Sequence, residues 1–188
     1  NSSADIYYDV QRQQLKFGHG GHLCLSDVSE DLQFFPDNIM AAVGLARALD
    51  VSMLACAKAL SCYQGLPYRL KRTGRIDGVI WYNDSKATNI GAALLAIENI
   101  SKGVLGQLLW IGGGQGKGAD FSTIEAAMSK HVGLAILYGE DALIIARHMG
   151  DVPVLIVESL VLAVEKAAVL DKKNDTILFA PACASFDG

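Results

Sequence analysis

The sequence predicts an α/β fold built on a doubly wound, mostly parallel sheet, and three observations predict it. Strands and helices alternate with short links from residue 79 onward, which favours parallel strands joined by helical crossovers. The strands after residue 100 are continuous apolar runs, as expected of strands covered by helices on both faces. The hydrophobic fraction is 51% against 19% charged residues, which is ample material for a core.

Residues 1–65 are predicted to form strands followed by two helices. The predicted strands are residues 6–10, 15–17 and 23–28. Pro36 opens a helix with apolar residues at helical spacing. Ser52 is the expected N-cap of a second helix that ends near Tyr63. A boundary is predicted at residues 65–67, because Gly65 suits a helix C-terminus and Pro67 cannot continue a helix.

The second part is predicted to begin with a hairpin and to continue as alternating strands and helices. The hairpin pairs residues 68–72 with residues 79–82 around the glycines at 74 and 78. Further strands are predicted at residues 108–111, 134–138, 154–157 and 176–180, and helices near residues 87–99, 142–149 and 160–167. The sequence Ser-Thr-Ile-Glu from Ser122 is a capping-box pattern that starts one more helix.

Charge and cysteine content exclude several classes of function. Sixteen basic and twenty acidic residues give a net charge of −4, which argues against non-specific nucleic-acid binding. No apolar run reaches about 18 residues, so no membrane span is predicted. The four cysteines form no CxxC pair, which predicts reduced, mostly buried thiols and a cytoplasmic protein. The first residues are not a signal peptide, and both ends look cut, so we expect a fragment of a longer protein.

Three polar segments follow predicted strands, and they indicate where a ligand would bind. The segments are residues 83–89, 112–120 and 182–187. Parallel strands bring their carboxyl ends to one edge of the sheet, and ligands of doubly wound sheets bind beyond that edge. The sequence therefore predicts that these segments converge on one site.

Residues 112–118, here called the glycine loop, lie between a predicted strand and a predicted helix. Glycines there let backbone N–H groups approach an anion, and Lys117 adds a positive charge. The loop is not a phosphate loop of the GxxxxGK[ST] type, since Gly118 stands where a magnesium-binding hydroxyl would be. The alternative is a flexible strand–helix turn without a ligand.

Residues 83–89 carry six polar side chains in seven positions. Asp84 can accept hydrogen bonds from ribose hydroxyls, Lys86 can meet a phosphate, and Thr88 can donate to a carboxylate. The alternative is a helix N-cap formed by Ser85 or Thr88. A cap needs one such residue rather than six, so a binding site is favoured.

Several charged residues have simpler interpretations when they are considered singly. Arg69 can fork onto a phosphate or stack on a base, but a lone arginine is more often a solvated charge. Four acidic residues flank predicted helix starts, where capping and the helix dipole explain them. These four are Asp120, Glu125, Glu140 and Asp141.

The motifs together resemble the Mur ligase family. The resemblance rests on Trp-Tyr-Asn-Asp-Ser-Lys-Ala-Thr-Asn at residues 81–89, the glycine loop with the Ala-Asp-Phe-Ser that follows it, and Ala-Pro-Ala-Cys-Ala-Ser-Phe-Asp at residues 180–187. Gly-Leu-Pro-Tyr-Arg at residues 65–69 is similar to the family's interdomain junction. These motifs are long and lie in the family's order, and the resemblance covers nearly the whole chain.

The resemblance implies both a fold and an activity. It implies that residues 1–65 end a central ATP-binding domain, and that residues 66–188 are most of a Rossmann-like, amino-acid-binding C-terminal domain. It implies an ATP- and magnesium-dependent ligase of peptidoglycan synthesis that adds D-glutamate to UDP-N-acetylmuramoyl-L-alanine through an acyl phosphate. The family's phosphate loop and most metal ligands have no counterpart here, so we expect this chain alone to be inactive and to hold no metal.

The resemblance also implies a role for individual residues. In the nucleotide site, Asn38 would contact adenine, while Arg69 and Asp84 would hold the base, ribose or phosphates. Lys86 would lie near the phosphates and act in catalysis. The D-glutamate site would consist of Thr88, Lys117, Ser185 and Phe186. The chain departs from the family's common pattern at Phe34-Phe35, Tyr68 and Gln115.

Two alternative functions remain open at this point. A sibling ligase would add a different amino acid, against which the Ser-Lys-Ala-Thr segment at residues 85–88 argues. A non-catalytic Rossmann-like module would bind an anion or a nucleotide without turnover. The presence of Lys86, Thr88 and Lys117 together argues against that second alternative.

Overall fold

The computed structural model describes residues 6–18 and 21–184. The chain divides into two compact units, Asn1–Gly65 and Leu66–Gly188. None of the helices in these described residues combines the length and the apolar character needed to cross a membrane.

The first unit is a three-stranded antiparallel sheet with two helices. Its strands, in sheet order, are β1 (Ile6–Asp9), β2 (Gln14–Phe17) and β3 (Gly21–Cys24), and its helices are α1 (Pro36–Ala48) and α2 (Met53–Cys62). The Ser52 hydroxyl accepts a hydrogen bond from the Ala55 amide at 3.2 Å, which confirms the predicted cap of α2. The core of the unit includes Leu15, Phe17 and Ile39.

The third predicted strand is wrong beyond Cys24. Residues Leu25–Asp27 form a short 3-10 helix instead, in which the Val28 amide donates to the Leu25 carbonyl at 3.1 Å. Leu25 and Val28 are both buried. Their spacing of three places them on one side of a helical turn, whereas a strand would place them on opposite faces.

The second unit is built on a six-stranded sheet. Its strands are β4 (Lys71–Ile76), β5 (Val79–Asn83), β6 (Leu108–Gly113), β7 (Leu134–Tyr138), β8 (Val154–Val157) and β9 (Thr176–Ala182), in the sheet order β4-β5-β9-β6-β7-β8. Only β4 runs antiparallel to its neighbour. All six residues of β6 are buried, as expected of a strand covered on both faces. The predicted α/β class with a mostly parallel sheet is confirmed.

Four helices connect the parallel strands: α3 (Ile90–Ser101), α4 (Glu125–His131), α5 (Ala142–Ala146) and α6 (Leu160–Leu170). Ala163 and Ala167 of α6 pack into the core on one face of the sheet with Leu109 and Ile136. The predicted helix at residues 142–149 is shorter than expected, because α5 ends at Ala146.

The predicted hairpin forms, but its first strand begins later and extends to Ile76, so Gly74 lies in the strand rather than in the turn. Tyr68 and Leu70 have φ angles of +64° and +46°, which are incompatible with an extended strand, so β4 begins at Lys71. The turn consists of Asp77 and Gly78, with φ angles of +50° and +90°. An Asp-Gly pair with two positive φ angles is the turn that matches the twist of a tight hairpin.

The capping box predicted at Ser122 is wrong. The Asp120 carboxylate accepts from the Ser122 amide at 2.9 Å and so caps a 3-10 turn, Phe121–Ile124, that precedes α4. Capping by Asp120 is thereby confirmed. The amide of Ser122 is the donor in this contact, and no side chain caps α4 itself.

Candidate functional site

The carboxyl ends of β5, β9 and β6 lie side by side at one edge of the second sheet. The chain passes from β5 to β6 over the position that β9 later fills, and it returns to that position from the far edge of the sheet. Such a reversal of strand order opens a crevice at the carboxyl ends, where doubly wound folds bind ligands. Two of the predicted polar segments, residues 83–89 and 112–120, flank the end of β9.

Backbone hydrogen bonds tie the end of β9 to both flanking segments. On the β5 side, the Ala182 amide donates to the Ala87 carbonyl at 2.8 Å. On the β6 side, Gln115 and Ala184 exchange two hydrogen bonds of 3.2 and 3.1 Å. Ala182 has a φ of +60°, a conformation that costs an alanine energy and that the surrounding contacts maintain. The predicted convergence is therefore present for the residues up to Ala184.

Two asparagines fix the backbone of residues 83–89. The Asn83 side chain accepts from the Ser85 amide at 2.9 Å, and the Asn89 side chain accepts from the Ala92 amide at 2.9 Å. Asn89 is thus the N-cap of α3, so the alternative in which Ser85 or Thr88 is the cap is wrong, and the helix expected near residue 87 begins at Ile90. The side chains of Lys86 and Thr88 are exposed.

Asp84 anchors the segment that carries Arg69. Its half-buried carboxyl accepts from the Leu70 amide and is attracted to the exposed Arg69 guanidinium. In addition, the Lys86 amide donates to the Tyr68 carbonyl at 3.1 Å. Burial raises the pKa of Asp84 and outweighs the lowering by Leu70 and Arg69. The Asp84 carboxyl thus holds the segment that carries Arg69, and the sequence assigns both residues to the same site.

The glycine loop is held by hydrogen bonds from its own amides. Gly114 donates to the Tyr138 carbonyl at 3.0 Å, Gln115 to the Ala184 carbonyl at 3.2 Å, and Gly116 to an oxygen of the Asp141 carboxylate at 2.5 Å. The expectation that the loop offers its amides to an anion is wrong for these three groups. The side chain of Lys117, in contrast, is exposed.

The glycines of this loop are explained by close packing. A Cβ atom at Gly113 would overlap the Tyr138 carbonyl, and one at Gly114 would lie 2.9 Å from the Ala184 carbonyl oxygen. Their φ angles are +125° and +126°, values at which an L side chain is strained. Glycine therefore lets the loop pack directly between β7 and the end of β9.

Asp141 and Glu140 contact the glycine loop, which the sequence did not predict. Asp141 was expected to cap α5, but its side chain makes no cap hydrogen bond and accepts from Gly116 instead. The Glu140 carboxylate accepts from the Gln115 side-chain amide at 2.8 Å. A possible signal is the Gly-Glu-Asp sequence directly after a buried strand, since Gly139 packs against Gly114.

Cys183 and Tyr138 lie beneath this edge of the sheet as protonated groups. Burial raises the pKa of Cys183 to about 11 and that of Tyr138 to about 12. A buried thiol with so high a pKa is a poor nucleophile at neutral pH. All four cysteines are free, as predicted, although Cys62 is exposed and Cys24 is half-buried.

The remaining predicted site residues are placed as follows. Asn38 is exposed in the first turn of α1, in the first unit. Ser185 and Phe186 lie outside the described residues. Within residues 6–18 and 21–184, no three His, Cys, Asp or Glu side chains are grouped so that they could hold a metal ion.

Residues 68–183 match the family model described as "Mur ligase, glutamate ligase domain". The match covers more than half of the chain, and the chain therefore belongs to the Mur ligase family. The resemblance of the three motifs to this family is confirmed.

Two similar proteins from different bacteria carry the same name. The chain is 45% identical over 151 residues to the UDP-N-acetylmuramoylalanine–D-glutamate ligase of Pseudomonas syringae pv. syringae, which is 80% of this chain and 34% of that protein. It is 34% identical over 184 residues to the ligase of the same name from Alcanivorax borkumensis, which is 98% of this chain and 42% of that protein. The chain thus spans between about a third and two fifths of these relatives.

A solved structure shares the fold. It is the bifunctional folylpolyglutamate synthase/dihydrofolate synthase of Yersinia pestis, complexed with AMPPNP and a Mn ion. The TM-score is 0.72 at 16% identity, over 97% of this chain and 43% of that one. At this identity the likeness shows the fold alone.

Proposed function

We propose that this chain is the C-terminal part of an ATP-dependent ligase that joins D-glutamate to UDP-N-acetylmuramoyl-L-alanine in peptidoglycan synthesis. In this assignment, residues 1–65 end the ATP-binding domain and residues 66–188 bind the amino acid. The most direct support is that β9 ends between two segments and is hydrogen-bonded to both of them. One segment contains Lys86 and Thr88, and the other is the glycine loop with Lys117. Family membership and the names of the relatives support the same assignment.

D-Glutamate brings two carboxylates, and its site therefore needs donors and positive charge. Lys117 supplies a positive charge from the glycine loop, and the Thr88 hydroxyl supplies a donor from residues 83–89. We assign Ser185 and Phe186 to the same site from the sequence motif. Ala184, the residue before Ser185, is hydrogen-bonded to Gln115 of the loop, which supports grouping these residues.

The nucleotide-binding roles of Arg69, Asp84 and Asn38 are assigned residue by residue from the resemblance to the family. Arg69 would pair with phosphate or stack on the base, and Asp84, which the Leu70 amide and Arg69 hold in place, would accept from ribose hydroxyls. Asn38 would contact adenine. A divalent metal would support phosphoryl transfer, but the described residues form no group that could bind one, so no step is assigned to it here.

The reaction follows from the chemistry of these groups. The γ-phosphoryl of ATP passes to the carboxylate of the nucleotide-linked alanine, which gives an acyl phosphate and ADP. The amine of D-glutamate attacks the acyl carbon, and the tetrahedral intermediate expels phosphate and leaves an amide bond. Lys86 stabilises the negative charge that develops on the phosphate oxygens. Holding the amine near the acyl carbon supplies much of the rate. The reduced thiols fit a cytoplasmic reaction.

The test is phosphate release by the complete gene product that contains this chain. ATP and UDP-N-acetylmuramoyl-L-alanine are supplied with D-glutamate, L-glutamate, L-alanine or diaminopimelate in parallel. Release that requires D-glutamate is the expected result. Release that requires another amino acid would move the assignment to a sibling ligase, and release with none would favour a binding module. This chain alone should release no phosphate in any of the mixtures.

A further inference from the structure

We propose that Asp141 is a positioning residue, which fixes the glycine loop so that Lys117 meets a carboxylate of D-glutamate. The inference rests on the proposed function, because it assigns Lys117 to that substrate. Asp141 itself follows β7 and starts α5, on a different part of the chain from the other assigned residues.

Asp141 contacts the loop on both sides of Gln115. Its carboxylate accepts from the Gly116 amide at 2.5 Å, and its own amide donates to the Gly114 carbonyl at 3.1 Å. The first contact fixes the Gln115–Gly116 peptide plane, one residue before Lys117, and so restricts how the backbone presents the Lys117 side chain. A hydrogen bond from an amide to a carboxylate is about twice as strong as one between neutral groups.

Backbone contacts with Ala184 and Gly139 also restrain the glycine loop. Gln115 is paired by two backbone hydrogen bonds with Ala184, and Gly139 packs so closely that a Cβ there would lie 2.8 Å from the Gly114 Cα. Among these contacts, the Asp141 carboxylate is the one made by a side chain to the loop's backbone. It is therefore the contact that a substitution can remove while the backbone pairing stays in place.

Lys117 needs such support because its backbone is strained. Its φ of +52° lies in the left-handed region, which a residue with a side chain occupies only when neighbouring contacts hold it there. Without the Asp141 carboxylate, the loop is free to relax, and the Lys117 ammonium then spends less time at the substrate position. The expected consequence is weaker binding of D-glutamate at an unchanged affinity for ATP.

Glu140 provides a matched control. It is adjacent to Asp141, carries the same charge and also accepts a hydrogen bond from the loop. Its donor is the Gln115 side chain, so its loss removes no support from the loop's backbone. Glu140→Ala should therefore leave both the loop and the binding of D-glutamate unchanged.

The experiment compares Asp141→Ala, Asp141→Asn and Glu140→Ala in the complete gene product. In Asp141→Ala, the KM for D-glutamate should rise about tenfold, the factor expected from one lost charge-assisted hydrogen bond, while kcat and the KM for ATP change little. Asp141→Asn keeps an acceptor oxygen and should recover part of the loss. Without substrates, trypsin should cleave after Lys117 faster in Asp141→Ala than in the parent protein.

The two readouts separate this inference from the proposed function. If the parent protein shows no D-glutamate-dependent phosphate release, the proposed function fails, and cleavage after Lys117 still reports on the loop. Equal cleavage in the parent and both Asp141 variants would overturn the positioning role. Faster cleavage with an unchanged KM for D-glutamate would overturn the link to substrate binding. An equal effect of Glu140→Ala would reduce the role of Asp141 to general surface charge.

Discussion

Residues 83–89 and the glycine loop follow β5 and β6, the two parallel strands on either side of β9, yet they are held in different ways. In residues 83–89, Asn83 and Asn89 hydrogen-bond to amides two and three residues further on. In the glycine loop, the partners come from distant parts of the chain, at Tyr138, Asp141 and Ala184. The first segment thus adds local side-chain contacts to its backbone hydrogen bonds with Tyr68 and Ala182, whereas these contacts of the glycine loop all come from distant residues.

The largest expected effect is on stability, from a methyl group in the glycine loop. Gly113→Ala would place a Cβ against the Tyr138 carbonyl at a φ of +125°. We expect a loss of about 2–4 kcal/mol in the free energy of unfolding, from backbone strain and displacement of β7. Chemical denaturation measures the loss.

Gly118→Ala is the matched control in the same loop. Gly118 has a φ of +78°, but a Cβ there would have no atom within 4 Å. It should cost only the conformational strain, about 1 kcal/mol. Equal losses for both variants would show that the glycine loop is not packed as described.

The two lysines should affect different kinetic parameters. Lys86→Met removes charge that acts on the developing phosphate and should lower kcat about 100-fold. Lys117→Met removes the positive charge that attracts a carboxylate of D-glutamate and should raise the KM for D-glutamate about tenfold. Lys102→Met, at the exposed end of α3, should change neither parameter. Identical kinetic effects of Lys86→Met and Lys117→Met would remove the distinction between a catalytic and a binding lysine.

A local contact should cost less than the packing of the loop. Asn89→Ala removes the cap of α3 and should lower the free energy of unfolding by about 1 kcal/mol. Asn89→Ser keeps an acceptor oxygen and should lose only a few tenths of that, roughly 0.3 kcal/mol. A loss from Asn89→Ala as large as that from Gly113→Ala would contradict the division into local and distant support.

The smallest effect is expected at Asp120, which makes a local contact with Ser122 just after the glycine loop. Hydrogen bonds from Ser122 lower the pKa of the Asp120 carboxyl below its ordinary value of 3.8. A lowered pKa in the folded state stabilises the fold above the ordinary pKa, and this contribution disappears as the pH falls through the folded value. The small difference in unfolding free energy between the parent and Asp120→Asn should therefore be present at pH 6 and vanish in acid. A difference that grows in acid would contradict this sign.

The sequence predicted the fold well where the signal was local or strongly apolar. The apolar run at residues 108–111 predicted a buried strand, and every residue of β6 is buried. The sequence did not determine the end of a helix where two adjacent residues could both be its N-cap. Thr88 and Asn89 are both residue types that cap helices well. Which of them is the cap depends on the path of the chain between β5 and α3.

The candidate site could be located from the sequence, but not the contacts that hold it. The rule for carboxyl ends of parallel strands was enough to bring residues 83–89 and the glycine loop together. The sequence could not show that Asp141 turns away from its helix toward Gly116, because the two meet only after β6 and β7 pair. It also could not show that the half-buried Asp84 carboxyl accepts from the Leu70 amide, since that depends on the strained turn at residues 68–70.

The most direct test of the central claim is hydrogen exchange in the complete gene product with and without D-glutamate. Slower exchange is expected in peptides from both residues 84–88 and residues 113–118, while exchange in the buried strand β7 is unchanged. L-Glutamate at the same concentration should have no such effect. Protection in only one segment, in neither, or equally with L-glutamate would contradict the claim that the two segments form one D-glutamate site.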